Sequence, residues 1–120
     1  MKKLFQNRGG GTAVEFALVA PAIIFFIFGI MQTAYIVWID NLLHYSVDVA
    51  ARCGAIGSAT YPCNGADMQS TANALFAPGS ATFATNDCSG SGLTGTYQVS
   101  ILSVTDLTLT AKSCYPNPPS

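Results

Sequence analysis

A run of glycines followed closely by one acidic residue is the first feature of this sequence that could take part in chemistry. Gly9, Gly10 and Gly11 follow a short basic segment, and Glu15 lies in an otherwise apolar stretch. Glycine opposes helix formation and leaves the backbone accessible to a protease. A carboxylate in hydrocarbon costs about 2.5–3.5 kcal/mol, so a retained one usually has a partner or a function. The pattern predicts a cleaved basic leader, residues 1–10, and a functional glutamate in the product.

Cleavage between Gly10 and Gly11 would create a new α-amine one helical turn before the Glu15 carboxylate. In a bundle of such helices, the amine of one chain and the glutamate of its neighbour can neutralise each other in a low dielectric. Such pairing would set the axial register of the subunits. The alternative is a glutamate at the membrane interface, which the helix dipole favours and lipid headgroups solvate.

Four cysteines form the second group of reactive side chains. They are Cys53, Cys63, Cys88 and Cys114, and all follow the apolar stretch, on the predicted outer side where thiols oxidise. A zinc site is the alternative, but no C-x₂₋₄-C pair is present and the one histidine lies elsewhere. Four cysteines allow three pairings. We favour two disulfides, Cys53–Cys63 and Cys88–Cys114.

No catalytic constellation is recognisable in the sequence. It has one histidine, no paired carboxylates in one segment, no phosphate-binding loop and no G-x-S-x-G. Three of the 5 basic residues fall within the first eight positions, so no basic patch remains for nucleic acid. These features predict a protein that is not an enzyme, needs no cofactor or metal ion, and does not bind nucleic acid.

A membrane-spanning helix is the first element needed to position Glu15. The stretch Phe16–Ile39 carries no charge, and as a helix it is about 36 Å long, enough to cross a ~30 Å hydrocarbon core. Lys2, Lys3 and Arg8 place the N-terminus in the cytoplasm by the positive-inside rule. A cleaved secretory signal is the alternative, but its apolar region is about 7–15 residues long. Residues 11–39 are therefore assigned to the transmembrane helix.

The helix is predicted to continue outside the membrane over residues 40–53, because no helix breaker interrupts it. One side is polar, with Asp40, His44, Asp48 and Arg52 recurring every four residues. The other is apolar and narrow, which suits packing on a domain, and comprises Leu43, Val47, Ala50 and Gly54.

Residues 54–120 are rich in Gly, Ser, Thr and Asn, a composition typical of a small exported domain. Helical spacing of apolar residues predicts a short helix over Met68–Phe76. Alternation predicts an antiparallel pair, Tyr97–Ile101 and Leu107–Ala111, with a turn at about Thr105–Asp106. The predicted fold class is α+β: a long N-terminal transmembrane helix that continues into a small disulfide-bonded outer domain with a short helix and an antiparallel hairpin or small sheet.

Two segments resemble a known family. RGGGTAVEFALVAPAIIFFIFGIMQ, residues 8–32, resembles the start of the TadE-like pseudopilins of the tight-adherence (Tad/Flp) type IV pilus system, and NLLHYSVDVAARCGA, residues 41–55, resembles the end of their long helix. The resemblance implies cleavage by a prepilin peptidase, an aspartyl protease of the inner membrane. It makes Gly10 the residue before the cut, Gly11 the new N-terminus, and Glu15 the assembly glutamate with Phe16 beside it. The three glycines also allow a cut after Gly11.

The predicted function is therefore that of a minor pilin or pseudopilin, a structural subunit of a Tad-type pilus or of its initiation complex. Its expected partners are the prepilin peptidase, other pilin subunits through helix packing, and the inner membrane before assembly. The expected location is the bacterial inner membrane, with a cytoplasmic N-terminus and a periplasmic C-terminal domain, followed by a cell-surface filament. The alternative is an uncleaved, single-span anchor that displays the outer domain as an adhesin or envelope binding module.

Overall fold

The computed structural model describes residues 11–57, 65–101 and 104–116. Two helices and three strands follow one another as α1 (Gly11–Ile56), α2 (Gly65–Leu75), β1 (Thr82–Thr85), β2 (Gly90–Ile101) and β3 (Thr105–Pro116). The chain divides within α1 into an N-terminal unit that ends at Tyr35 and a C-terminal unit, Ile36–Ser120. The predicted α+β class is confirmed: a long apolar helix precedes a short helix and a small antiparallel sheet.

The N-terminal unit consists, from Gly11 onward, of the first half of α1. Between Gly11 and Tyr35 no residue is buried by any other described part of the chain. The helix is long and apolar enough to cross a membrane. Pro21 lies within it and removes one backbone hydrogen bond, because proline has no N–H.

The second half of α1 supplies one side of the core of the C-terminal unit. Leu43, Val47 and Ala50, three members of the predicted apolar stripe, are fully buried. Ile39, which the sequence assigned to the transmembrane segment, is also fully buried. The hydrophobic core of the C-terminal unit therefore begins inside the apolar stretch, where hydropathy alone does not distinguish lipid contact from protein contact.

Helix α2 confirms the short helix predicted from apolar spacing. Met68, Ala72 and Phe76 are buried at intervals of four residues, which places them on one face. The helix ends with a backbone hydrogen bond from Phe76 N–H to Ala72 C=O (3.0 Å), two residues before Pro78. Gly54 of α1 lies directly against the Met68 side chain, and a Cβ at this position would overlap the Met68 sulfur.

The sheet has the order β1-β2-β3, with both pairs antiparallel. Its buried face meets the helices and carries Phe83, Leu93, Val99 and Ala111. Its other face carries mainly threonine, serine and glutamine. The alternation of apolar and polar residues along β2 and β3 thus produces one packed and one solvated face.

The predicted position of the turn between β2 and β3 was wrong. Thr105 pairs with Ile101 and Asp106 with Ser100, so both residues belong to β3 and the turn precedes them. The strands also extend beyond the predicted segments, and β1 was not predicted. The hydrophobic alternation marks only the part of each strand that faces the core, whereas backbone pairing continues through the polar ends.

Helix α1 approaches β2 closely at Gly95. A Cβ on Gly95 would lie 2.8 Å from Val47 Cγ2 and 2.8 Å from Phe83 Cε1. Both distances are shorter than a van der Waals contact between carbons, about 3.5–4.0 Å. Because residue 95 has no side chain, the side chains of Val47 from the helix and Phe83 from β1 can both lie over the middle of β2.

A disulfide joins Cys88, just before β2, to Cys114 near the end of β3, which is the pairing favoured from the sequence. Cys53, in the last turn of α1, is also disulfide-bonded. Cys63, its predicted partner, lies outside the described residues. The Cys88–Cys114 link closes a separation of 26 residues, for which chain entropy alone gives a stabilisation of about 3 kcal/mol.

Candidate processing and assembly site

The predicted processing site leads directly into the first turn of α1. Gly11 is the first residue of the helix, and Glu15 follows four residues later on the same face. Gly10, the predicted residue before the cut, lies outside the described residues. The helix therefore brings the position of the expected α-amine and the Glu15 carboxylate within one turn of each other.

Within the part of the chain that the structure describes, Glu15 forms no hydrogen bond or ion pair. Phe16 beside it is 73% exposed, and the neighbouring Val14 and Leu18 are also largely exposed. This end of the helix thus presents one carboxylate within an apolar surface that no other part of the described chain covers. A neighbouring apolar helix carrying a positive charge would complement this surface in both polarity and charge.

Gly11 and Gly29 have no packing role within the described part of the chain. A Cβ built on Gly11 or on Gly29 meets no atom within 4 Å. Glycine in a helix costs roughly 0.5–1 kcal/mol relative to alanine. The contacts of the described residues therefore do not explain these glycines, and each position has room for a closely packed neighbouring helix.

A second polar cluster joins α1 to β3 in the C-terminal unit. The Asp48 Oδ1 atom accepts hydrogen bonds from the hydroxyls of Tyr115 (2.8 Å) and Ser113 (3.1 Å). The Arg52 guanidinium lies 5.5 Å from the centroid of the Tyr115 ring, within cation–π range. We call Asp48, Arg52, Ser113 and Tyr115 the helix–strand junction.

The junction changes the interpretation of the polar stripe predicted on α1. His44 and Arg52 are exposed, but Asp48 is half-buried and bonded to β3 rather than free in solvent. The hydrogen bond to Asp48, with desolvation and the negative charge of the same carboxylate, raises the pKa of Tyr115 above 10.0, and Arg52 opposes this shift. In residues 11–57, 65–101 and 104–116, no three His, Cys, Asp or Glu side chains come together as metal ligands.

Sequence reasoning missed the junction because the partners of Asp48 lie more than sixty residues away. Alternation places Ser113 and Tyr115 on one face of β3, which is a usable signal. The sequence does not show that this face of β3 packs against α1 at Asp48.

Comparison with known proteins supports the family resemblance. Residues 10–52 match the family model described as TadE-like protein, and the rest of the chain lies outside this match. No significant match to a curated protein or to a solved structure was found. The match confirms the TadE-like resemblance of the N-terminal segment.

Proposed function

We propose that this chain, TadE-like over residues 10–52, is a minor pilin or pseudopilin that is cleaved by a prepilin peptidase and assembles through its N-terminal helix. The observation that carries the proposal is the surface around Glu15. A single carboxylate lies one turn after Gly11 in the first half of α1, where no residue between Gly11 and Tyr35 is buried. Lipid can cover the apolar side chains before assembly, and neighbouring helices can cover them afterwards.

Cleavage gives the Glu15 carboxylate a partner. Cutting after Gly10 frees an α-amine on Gly11, which is charged below its pKa of about 7.7–8.0. When two helices pack in an apolar environment, an unpaired charge is strongly destabilising, whereas a pair bonded across the contact is tolerated. Subunits therefore dock at the axial offset that brings the amine of one helix to the Glu15 of the next.

The absence of packing around Gly11 supports a processing role for the glycine. A larger side chain would fit there without contacting the rest of the described chain, so folding does not require glycine at this position. A peptidase that holds an extended backbone in its active site does benefit from a residue without a side chain.

Processing can be measured by co-expressing the full chain with a prepilin peptidase and determining its intact mass. We expect the mass to fall by that of residues 1–10, and to stay unchanged with a peptidase that lacks its catalytic aspartates. N-terminal sequencing of the product distinguishes a cut after Gly10, which begins with Gly11, from a cut after Gly11, which begins with Thr12.

Variants of the glycine run identify the residue that is recognised. Gly10→Leu should block the mass change, whereas Gly9→Leu, a matched control one residue upstream, should still be processed. An unchanged mass for the parent chain in the presence of active peptidase would contradict the proposal and would favour the uncleaved adhesin or envelope binding module.

A further inference from the structure

A polar cavity of about 550 Å³ lies at one edge of the sheet and shares no lining residue with the helix–strand junction. It forms where β2 runs past the start of β1. Thr82, the first residue of β1, pairs with Thr96, so that from Tyr97 to Ile101 the described strands pair with β2 on its β3 side only. The cavity volume falls within the range of small-molecule sites, about 300–1,000 Å³.

The lining of this cavity is neutral and rich in hydroxyl groups. The residues that line it are Gly79, Ser80, Thr82, Thr96, Tyr97, Gln98 and Thr108. Together they offer five hydroxyls and one carboxamide, each able to donate and to accept hydrogen bonds. No lining side chain carries a charge, so a charged ligand would lose its hydration without gaining a counter-charge.

Most of these groups are unused within the described part of the chain. The Thr96 hydroxyl donates to the Thr82 carbonyl at 3.4 Å. The side chains of Ser80, Tyr97, Gln98 and Thr108 make no hydrogen bond to any described residue. The cavity therefore presents several hydrogen-bonding groups that no described residue engages.

Tyr97 bounds the cavity at the edge of β2, but its ring lies on the core face of the sheet, opposite the side chains of Thr96 and Gln98. Its ring packs edge-on against Phe76, with centroids 5.0 Å apart and an interplanar angle of 62°. On its other side the chain turns tightly at Gly79, where a Cβ would lie 3.1 Å from the Tyr97 hydroxyl oxygen. Because the Tyr97 side chain is already fixed by these contacts, it loses little conformational entropy when the cavity binds a ligand.

We infer that this cavity binds a neutral saccharide. A sugar ring presents several neutral hydroxyls that both donate and accept, which matches the hydroxyls and the carboxamide of the lining. An extended peptide is the competing occupant, since it could add main-chain hydrogen bonds to β2 where no described strand pairs beyond β1. Side-chain pockets give such a peptide its specificity, and this polar lining offers no apolar pocket for it. The inference does not depend on leader cleavage or on assembly.

Binding can be tested by NMR titration of the full chain, isotopically labelled, in micelles of a zwitterionic detergent without a sugar headgroup. The probes are neutral oligosaccharides of glucose, galactose, mannose and N-acetylglucosamine, added to millimolar concentrations. A sialylated oligosaccharide and an extended peptide of alternating valine and threonine serve as comparisons. We expect saturable shifts centred on Tyr97, Gln98 and Thr108 with at least one neutral oligosaccharide, and weaker or no binding of the charged sugar and the peptide.

The strand β3 provides a matched pair of variants. Thr108 and Thr110 are both exposed on the same face of β3, but only Thr108 lines the cavity. Thr108→Ala and Gln98→Ala should each raise Kd about 5- to 10-fold, the loss of one hydrogen bond, whereas Thr110→Ala should leave Kd unchanged. The inference is overturned if no neutral oligosaccharide gives saturable shifts, if the charged sugar or the peptide binds more tightly, or if Thr110→Ala weakens binding as much as Thr108→Ala.

Discussion

At the scale of single residues, the helix–strand junction combines hydrogen bonds to a carboxylate with a cation–π contact. One carboxylate oxygen of Asp48 accepts two hydroxyl hydrogen bonds, and Arg52 approaches the same tyrosine ring from α1. Because Asp48 lies on the helix while Ser113 and Tyr115 lie on β3, these bonds join two elements that are distant in sequence. The junction should therefore stabilise the folded C-terminal unit, by an amount that depends on whether the Tyr115 hydroxyl is protonated.

Alkaline pH should weaken this contribution. The hydrogen bond to Asp48 exists only while Tyr115 is protonated, and it raises the pKa of Tyr115 above 10.0. A group whose pKa is higher in the folded state stabilises the fold below its unfolded-state pKa, and this stabilisation is lost as pH rises through the folded-state value. We expect the thermal midpoint of the C-terminal unit to fall from about pH 10 upward, and Tyr115→Phe to make this alkaline decline shallower.

Tyr45→Phe is the matched control for this measurement. Tyr45 lies on the same helix, is 57% exposed, and makes no hydrogen bond within the described chain. Thermal unfolding followed by circular dichroism from neutral pH to about pH 11 compares the three proteins. Equal alkaline slopes for the parent, Tyr115→Phe and Tyr45→Phe would show that the junction does not couple folding to this proton.

At the scale of elements, the packing of α1 on the sheet depends on the absence of one side chain. Gly95 lies in the middle of β2 between Val47 of the helix and Phe83 of β1. Each neighbour occupies space that a Cβ on residue 95 would need. The helix position and the residue type in β2 are therefore coupled, and a double-mutant cycle can measure that coupling.

We expect Gly95→Ala and Val47→Ala to offset each other. Gly95→Ala overpacks the contact at a cost of about 1–3 kcal/mol, and Val47→Ala leaves a cavity at a cost of about 2 kcal/mol. In the double variant the new methyl group enters part of the space vacated by the valine, so the total cost should be lower than the sum by about 1 kcal/mol. Urea denaturation of the disulfide-intact chain measures all four free energies.

Val37→Ala is the control for the cycle. Val37 lies on the same helix but is 54% exposed, so its substitution should be additive with Gly95→Ala. Additivity with Val47→Ala as well would mean that the sheet or Phe83 moves to accept the new methyl group.

The sequence predicts the buried faces of the helices better than it predicts β1 and the cavity beside it. Regular spacing identified Met68, Ala72 and Phe76 as a buried helix face and placed Leu43 and Val47 in the core, because each set repeats on one side of its own element. Strand β1 escaped prediction because it is four residues long and only Phe83 is buried. The cavity beside it depends on where β1 starts relative to β2, and no local pattern specifies that register.

At the scale of the whole molecule, the proposed processing alters the charge as well as the length. The chain has 5 Lys and Arg and 6 Asp and Glu, a formal charge of −1. Three of the cations, Lys2, Lys3 and Arg8, lie in the predicted leader, so the product would carry two basic and six acidic side chains, or −4 by the same count. The positive charge that is expected to orient the chain in the membrane is thus absent from the proposed subunit.

Glu15 should be needed for assembly and not for folding. Glu15→Gln keeps the size of the side chain and removes its charge, which leaves the Gly11 amine of the neighbour unpaired at a cost of several kcal/mol. We expect association with co-expressed pilins to fall by more than about tenfold, measured by crosslinking and co-purification, while leader cleavage and the thermal midpoint of the C-terminal unit stay unchanged.

Val14→Ala is the control for assembly, since it removes apolar surface next to Glu15 without changing charge. It should assemble at close to the parent level. If Glu15→Gln also assembles like the parent, the carboxylate does not set the register, and the helix dipole at the membrane interface accounts for its position.

The placement of the Cys88–Cys114 disulfide has a mechanical consequence. Strands β2 and β3 form a long hairpin whose open end is at Gly90 and Pro116, and the disulfide lies at that end. A hairpin pulled apart at its open end normally unzips one pair at a time, under a force that has to break only a few hydrogen bonds at once. Because the disulfide closes that end, the strands cannot begin to separate there. Tension on the flanking chain is carried by the covalent S–S bond before it reaches the hydrogen bonds between β2 and β3. A subunit displayed outside the cell, where flow and surface contact exert drag, would keep its sheet under such loads for as long as the disulfide remains oxidised.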